Sequence, residues 1–284
     1  MTTILALVDG SAYSESVCRH AAWIATRSGA GVKLYHVLGR REAPDRGDLS
    51  GQIRLGARTR LMEELATLDE QRAKLTHAQG RAILEDAQAL VQEAAEGVAV
   101  ESRLRQGDIV ETVTAKEDQG DLIVIGKRGE AADFAKLHLG SNLERIVRAA
   151  TKPVFVANRA FKPIKKVVIA YDGGPSAMKA VDLVARSPLF AGLDCLVVTV
   201  GGETPKITEG LRDAKATLAA GGHQAETLVV EGQPETALAE LVEKQGADLL
   251  VMGAWGHSRI RNLIIGSTTT EMIRSCKVPV LLIK

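Results

Sequence analysis

The chain is written twice. ILALVDGSAYSESV, Ile4 to Val17, lines up with VVIAYDGGPSAMKA, Val167 to Ala180, and sets Asp9 over Asp172 at a lag of 163 residues. DLIVIGKRGEAADFAKLHLGSNLE, Asp121 to Glu144, answers DLLVMGAWGHSRIRNLIIGSTTTE, Asp248 to Glu271, and puts Gly126 over Gly253 at a lag of 127. RLRQGD matches LVVEGQP and TKPVFVA matches CKVPVLLI, so four landmarks keep one order, which chance similarity rarely does. A tandem duplication therefore divides the 284 residues into a first domain at 1–158 and a second at 164–284, with the basic stretch NRAFKPIKK at the join. Each part is long enough to bury its own core.

In the second copy, apolar runs at 167–171, 195–200, 227–230, 249–252 and 278–283 are short, rich in Val, Ile and Leu, and do not alternate with polar residues. Strands covered on both faces of a parallel sheet read this way. Between them, SAMKAVDLVARS, TEGLRDAKATLAA, PETALAELVEKQG and STTTEMIRSC space their apolar residues as helices do. The alternation predicts an α/β fold of two tandem open, five-stranded parallel-sheet domains with helices on both faces. The last strands, PVFVANR and VPVLLIK, would leave bare apolar edges, so the domains are expected to pair them as an intramolecular pseudo-dimer, with a homodimer left open. The lag shortens by 36 residues, all within Ala57 to Gly97 of the first copy. Leucine or alanine recurs there every three or four positions among charges of both signs, which predicts a long helix or a helical pair interrupted near Gly80, with a solvated surface favoured over a partner-binding arm.

Bulk composition excludes several classes. A net charge of +1 gives no field to recruit nucleic acid or an anionic membrane, and 3% aromatics leave few platforms for stacking bases. Cys18, Cys195 and Cys276 lie far apart, so neither a disulfide framework nor a CxxC metal clip is expected. The first apolar run, Ile4 to Val8, ends at Asp9 without a basic flank, and no window approaches the length of a membrane span. The expectation is a cytoplasmic protein with no nucleic-acid or membrane partner.

In an open parallel sheet, ligands bind beyond the carboxyl ends of the strands, where the winding direction reverses. Asp172 closes the first strand of its copy and Gly253 the fourth, so neighbouring strands would bring the two across one crevice. Gly253 and Gly256 are expected to take φ > 0 and to present bare N–H groups. Gly266 opens a helix with Ser267 and Thr268 in its first turn, where free N–H groups, the positive end of the helix dipole and two hydroxyls converge. Arg259 and Arg261 add positive charge. A phosphate chain suits this set. Glycine and serine also mark turns and helix starts everywhere, so the reading rests on their place after a buried strand and on their recurrence.

GAWGHSRIRNLIIGST resembles the nucleotide-binding signature of the universal stress protein family, Gly-x2-Gly-x9-Gly-Ser/Thr, at Gly253, Gly256, Gly266 and Ser267. VDGSAYS is similar to that family's first-strand ending, and the duplicated chain resembles its tandem two-domain members over nearly its whole length, insert and linker apart. The resemblance implies a Rossmann-like fold of the universal stress protein and adenine nucleotide alpha hydrolase type, and ATP or AMP as ligand. Carried over residue by residue, it implies that Asp172 with Gly173, and Asp9 in the first copy, lie near the ribose or phosphates. Val200 and Val37 would end the second strands against the adenine. The glycine loop, with His257, Arg259, Ser267 and Thr268, would hold the phosphates, often with a divalent metal such as Mg2+. The corresponding first-copy set is Gly126, Gly129, Gly140 and Ser141.

Both copies depart from the pattern. Ten residues separate Gly129 from Gly140, and Glu130 and Asp133 stand where the second copy has His257 and Ile260. Carboxylates repel phosphate, an effect that Lys127 and Arg128 are expected to offset in part. In the second copy, Gly174 replaces the family's usual serine. Most of the binding is therefore expected in the second domain, in a stress-response sensor or regulator. The alternatives are an interaction module without nucleotide and a slow ATP-hydrolysing enzyme. GxxxxGK[ST], GxGxxG after a first strand, His-x-Gly-His and Gly-x-Ser-x-Gly are all absent, and no general base has an evident partner, so no catalytic or metal-binding residue is assigned. Cys18 and His20, in CRH, read as a buried thiol beside an exposed ring rather than a metal pair.

Overall fold

The computed structural model describes residues 1–39, 55–129, 140–254 and 267–284. The first half runs β1 (Thr3–Leu7), α1 (Ser14–Ser28), β2 (Gly31–Leu38), α2 (Leu55–Ala94), β3 (Val100–Gln106), α3 (Ile109–Thr114), β4 (Leu122–Gly126), α4 (Ser141–Ala149) and β5 (Val154–Ala157). The second runs β6 (Lys166–Ala170), α5 (Pro175–Arg186), β7 (Asp194–Val200), α6 (Pro205–Ala220), β8 (Ala225–Val230), α7 (Pro234–Lys244), β9 (Leu249–Gly253), α8 (Ser267–Ser275) and β10 (Val280–Ile283). Local signals set many of the boundaries. Asp108 caps α3 by accepting the N–H groups of Val110 and Glu111, Thr204 caps α6, and Pro175, Pro205 and Pro234 open helices whose first N–H needs no partner. Gly29 ends α1 at φ 70°, a left-handed conformation that glycine adopts without strain.

The strands form one ten-stranded sheet in the order β3-β2-β1-β4-β5-β10-β9-β6-β7-β8. Pairing is parallel within each half, and β5 meets β10 antiparallel, with Phe155 opposite Leu281. The edge that each half would leave bare is thus covered by the other. Central strands are apolar at nearly every position because helices cover both faces, whereas the edge strand β3, VESRLRQ, is only partly covered. The neighbours β1–β4 and β6–β9 mark the points where the winding reverses. Both core layers run across the seam: Phe155, Ile164, Phe190 and Leu281 share one of them. From α1, Arg27 donates to the carbonyl of Leu189 at 2.6 Å and to that of Ala191, tying the first half to a 3-10 turn of the second.

Two expectations fail for reasons of tertiary packing. The insert is a single helix of 40 residues, unbroken at Gly80. Gly80 is instead a contact point: a Cβ there would lie 2.8 Å from Leu104 Cδ1, 3.0 Å from His36 Cδ2 and 3.2 Å from Leu38 Cδ2. The glycine lets α2 settle onto β2 and β3, where Leu84, Ala87 and Val91 are buried. His20 is also not exposed. It is fully buried between Phe155 of β5 and Phe161 of the linker, with ring centroids 5.1 and 4.9 Å away. Sequence periodicity along α1 carries no record of aromatics that arrive from more than 130 residues downstream.

Candidate functional site

The loop after β1 is built around Asp9. Gly10 turns the chain at φ 79°, and Asp9 Oδ1 accepts the N–H of Ser11 at 3.0 Å and the hydroxyl of Ser14 at 3.1 Å. Ser14 Oγ in turn accepts the N–H of Gly10 at 3.0 Å. The carboxylate is thus fixed at the start of α1, beside the end of β4. Gly126 closes that strand so near α1 that a Cβ would lie 2.7 Å from Tyr13 Cβ. Gly129 brings the following loop onto Asp9: a Cβ there would lie 2.8 Å from Asp9 Oδ2. Gly140 then precedes the first turn of α4, which begins at Ser141.

These elements enclose a cavity of about 980 Å³ beyond the carboxyl ends of β1, β2 and β4. Asp9, Val37, Gly126, Gly129 and Gly140, five of the six first-copy residues singled out in the sequence, line it. Ser141 follows directly as the start of α4. Residues that the sequence did not single out complete the walls. His36 is tied through Nδ1 to the carbonyl of Val8 at 2.8 Å, which fixes the orientation of its ring on the cavity wall. Asp108 also lines the cavity, and Arg145 at 2.8 Å and the N–H groups of α3 hold its carboxyl below the usual range. Thr76, Gln79, Gly80 and Ile83 of α2 form one wall, and a Cβ on Gly10 would lie 2.8 Å from Ile83 Cδ1. The insert is therefore part of the site. Its only trace in the sequence is its place between the second and third strands of the first copy.

The second half repeats the core of this arrangement. Asp172 Oδ1 accepts the N–H of Gly174 at 2.8 Å, and Gly173 has φ 75°. Ala177 occupies the position of Ser14, so the hydroxyl that holds Asp9 has no counterpart at Asp172. Gly253 does not take a positive φ, contrary to expectation. Its missing side chain makes room instead: a Cβ would lie 2.8 Å from Ser176 Cβ and 3.1 Å from Ala177 N. Ser176 corresponds to Tyr13, so the glycine that ends the fourth strand serves close strand-to-helix packing in both halves. Val200 ends β7, Ser267 starts α8, Thr268 follows it, and Thr269 Oγ1 donates to the carbonyl of Ala254 at 3.2 Å. Gly256, His257, Arg259, Arg261 and Gly266 lie outside the described residues, as do Glu130 and Asp133.

Charge is distributed differently from expectation in the first copy. Arg128 lines the cavity, but Lys127 turns away and donates to the carbonyl of Cys276 at 2.9 Å. Asp9, Asp108 and Glu111 lie on the cavity wall. Among the described residues no group of three or more His, Cys, Asp or Glu could hold a metal ion, and no helix is long and apolar enough to cross a membrane.

One open α/β sheet of two parallel halves, each with an aspartate beside a glycine-ended strand at its reversal point, defines a Rossmann-like class of protein. The family model for the universal stress protein family matches residues 1–158 and 197–284. A universal stress protein of Synechocystis is 37% identical over 99% of this chain and 99% of its own. One from Mycobacterium tuberculosis is 32% identical over 142 residues, which are 42% of this chain and 95% of its own. The crystal structure of a universal stress protein from Archaeoglobus fulgidus superposes with a TM-score of 0.73 at 20% identity, covering 99% of this chain and 98% of that one, a likeness of fold. The chain belongs to the universal stress protein family.

Proposed function

We propose that this protein binds an adenine nucleotide, ATP or AMP, at the carboxyl ends of the strands in each half, and acts through that binding as a stress-response sensor or regulator. The observation that supports the reading is the first-half cavity. Its size falls in the range of about 300 to 1,000 Å³ typical of small-molecule sites, and its walls hold Asp9, Val37, Gly126, Gly129 and Gly140 together. Val37 offers an apolar surface to a base, Asp9 a carboxylate to ribose hydroxyls, and the start of α4 unpaired N–H groups to phosphate. The second half keeps the nine-residue spacing between Gly256 and Gly266 and is proposed as the tighter site. Asp9, Asp108 and Glu111 weigh against a triphosphate in the first cavity, because like charges repel most strongly where water is excluded. The described residues fit a nucleotide better than a resident metal: a Mg2+ ion would be held by phosphate oxygens, with Asp9 or Asp172 as the available carboxylate.

Native mass spectrometry of the full chain purified without added nucleotide tests this reading. Adducts with the masses of one or two adenine nucleotides, lost on unfolding, are expected. A chain that carries none and takes up neither ATP nor AMP at millimolar concentration contradicts it.

A further inference from the structure

Among the described residues, every large apolar side chain that is exposed sits on one stretch of α2: Leu61, Met62, Leu65, Leu68 and Leu75, from 40% to 71% exposed. Leu61, Leu65, Leu68, Arg72 and Leu75 follow one another in steps of four, three, four and three, the heptad spacing that aligns side chains along one face of a helix. From 61 to 72 every residue is exposed, so more than three turns of α2 present all their faces to solvent. The packed part of α2 holds this stretch helical, so its leucine stripe is kept in solvent, where contiguous apolar surface marks an interaction site. We propose that this arm is an interface at which two copies of the chain pair their α2 helices antiparallel, centred on Leu68.

Charge selects both the occupant and the direction. Antiparallel pairing about Leu68 puts Leu61 against Leu75 of the second copy and Glu64 against its Arg72, twice by symmetry. A parallel pair in register would stack Arg72 on Arg72 and bring Glu64 next to Asp69, both repulsive. Arg72 is the polar interruption of the stripe, and a polar residue in such a seam sets register and orientation. An anionic membrane is disfavoured, because Glu63, Glu64, Asp69 and Glu70 outnumber Arg72 and Lys74 on this stretch. The inference is independent of whether the clefts bind nucleotide.

Sedimentation velocity of the full chain over a concentration series tests it. The wild type should form a dimer that dissociates on dilution. The triple variant Leu61→Ser, Leu68→Ser, Leu75→Ser should sediment as a folded monomer with its circular dichroism spectrum retained, since all three side chains are exposed and none supports the core. Glu64→Arg alone should abolish the dimer by setting a second guanidinium against Arg72 of the other copy, and adding Arg72→Glu should restore it. A wild type that stays monomeric, a dimer that survives the triple substitution, or a double reversal without recovery overturns the proposal. So does a monomer that cosediments with phosphatidylserine vesicles through the same leucines.

Discussion

The ammonium of Lys127 donates to the carbonyl oxygen of Cys276 at 2.9 Å across the seam between the two halves. Its counterpart in the other direction is Lys284, whose ammonium reaches the carbonyl of Ala150 at 2.8 Å. Ala150 and Cys276 follow the last residues of α4 and α8, so a lysine from the opposite half completes the carboxyl end of each helix that starts at a candidate phosphate site. Burial pulls the Lys127 ammonium from its ordinary 10.5 down to about 8, with Cys276 opposing the shift and Arg128 adding to it. Between pH 8 and 10.5 the unfolded chain therefore binds a proton that the folded chain does not, and this group makes stability rise with pH. Above pH 9 the buried thiols oppose the gain, because burial raises Cys18 to about 12 and Cys195 to about 11 and the folded chain keeps protons that the unfolded one releases. Lys127→Met should flatten the rise between pH 8 and 9 and leave a carbonyl without its donor, at a cost of about 1 kcal/mol at pH 7. Urea unfolding of both proteins at pH 7, 8 and 9 measures this, and parallel profiles would contradict it.

Acid should weaken the protein through His20. Burial lowers its pKa from 6.5 to about 4, against the opposing hydrogen bond from Nδ1 to the carbonyl of Ser16. The unfolded chain takes up a proton below pH 6.5 that the folded chain refuses until about pH 4, so the stability present above pH 6.5 is lost across that window. His20→Leu should remove part of the acid sensitivity. Thermal melts at pH 7.5 and 5 read the difference, and an unchanged gap between the two pH values counts against the assignment.

Gly80→Leu should lift α2 from the sheet. The new side chain meets Leu104, His36 and Leu38 within 3.2 Å at its Cβ alone. Overpacking of this kind costs about 1 to 3 kcal/mol. Because Gly80 and Gln79 also line the cavity, the variant should lose first-site ligand as well as stability, whereas a merely solvated insert would lose neither. Denaturation and ligand titration on the same sample separate the two effects.

What the sequence revealed and what it hid divide along chain distance. Duplication and apolar runs made the succession of strands and helices in each half readable, and the lag between Asp9 and Asp172 led directly to paired residues that the fold places at equivalent points. Gly126 and Gly253 stand out in the sequence, but the close packing they allow does not. Their pattern marked a glycine loop, but their missing side chains serve close packing against Tyr13 and Ser176, which spacing does not encode. Gly80 read as a break because a glycine in a helix signals one unless the opposing surface is known. His20, Lys127 and the wall contributed by α2 were hidden because their partners are distant: Phe155, Cys276 and Gly10 lie far from them along the chain. His36 was within reach, since it precedes Val37 at the carboxyl end of β2, where a ligand-facing residue belongs.

The central claim is that the two clefts bind adenine nucleotide, the second more tightly. Calorimetric titration of ATP and of AMP into the wild type, Gly140→Val and Gly266→Val tests it most directly, with circular dichroism as the check on folding. Gly140 lines the first cavity, and a Cβ there has no neighbour closer than 3.7 Å, so its substitution obstructs the cleft without straining the body. Gly266→Val, at the last glycine of the second motif, should weaken the tighter event by about five- to 150-fold, the equivalent of about 1 to 3 kcal/mol. Gly140→Val should remove only the weaker event. Loss of the tighter event in Gly140→Val with Gly266→Val unaffected would reverse the assignment of the sites, and a wild type that binds neither nucleotide would contradict the account itself.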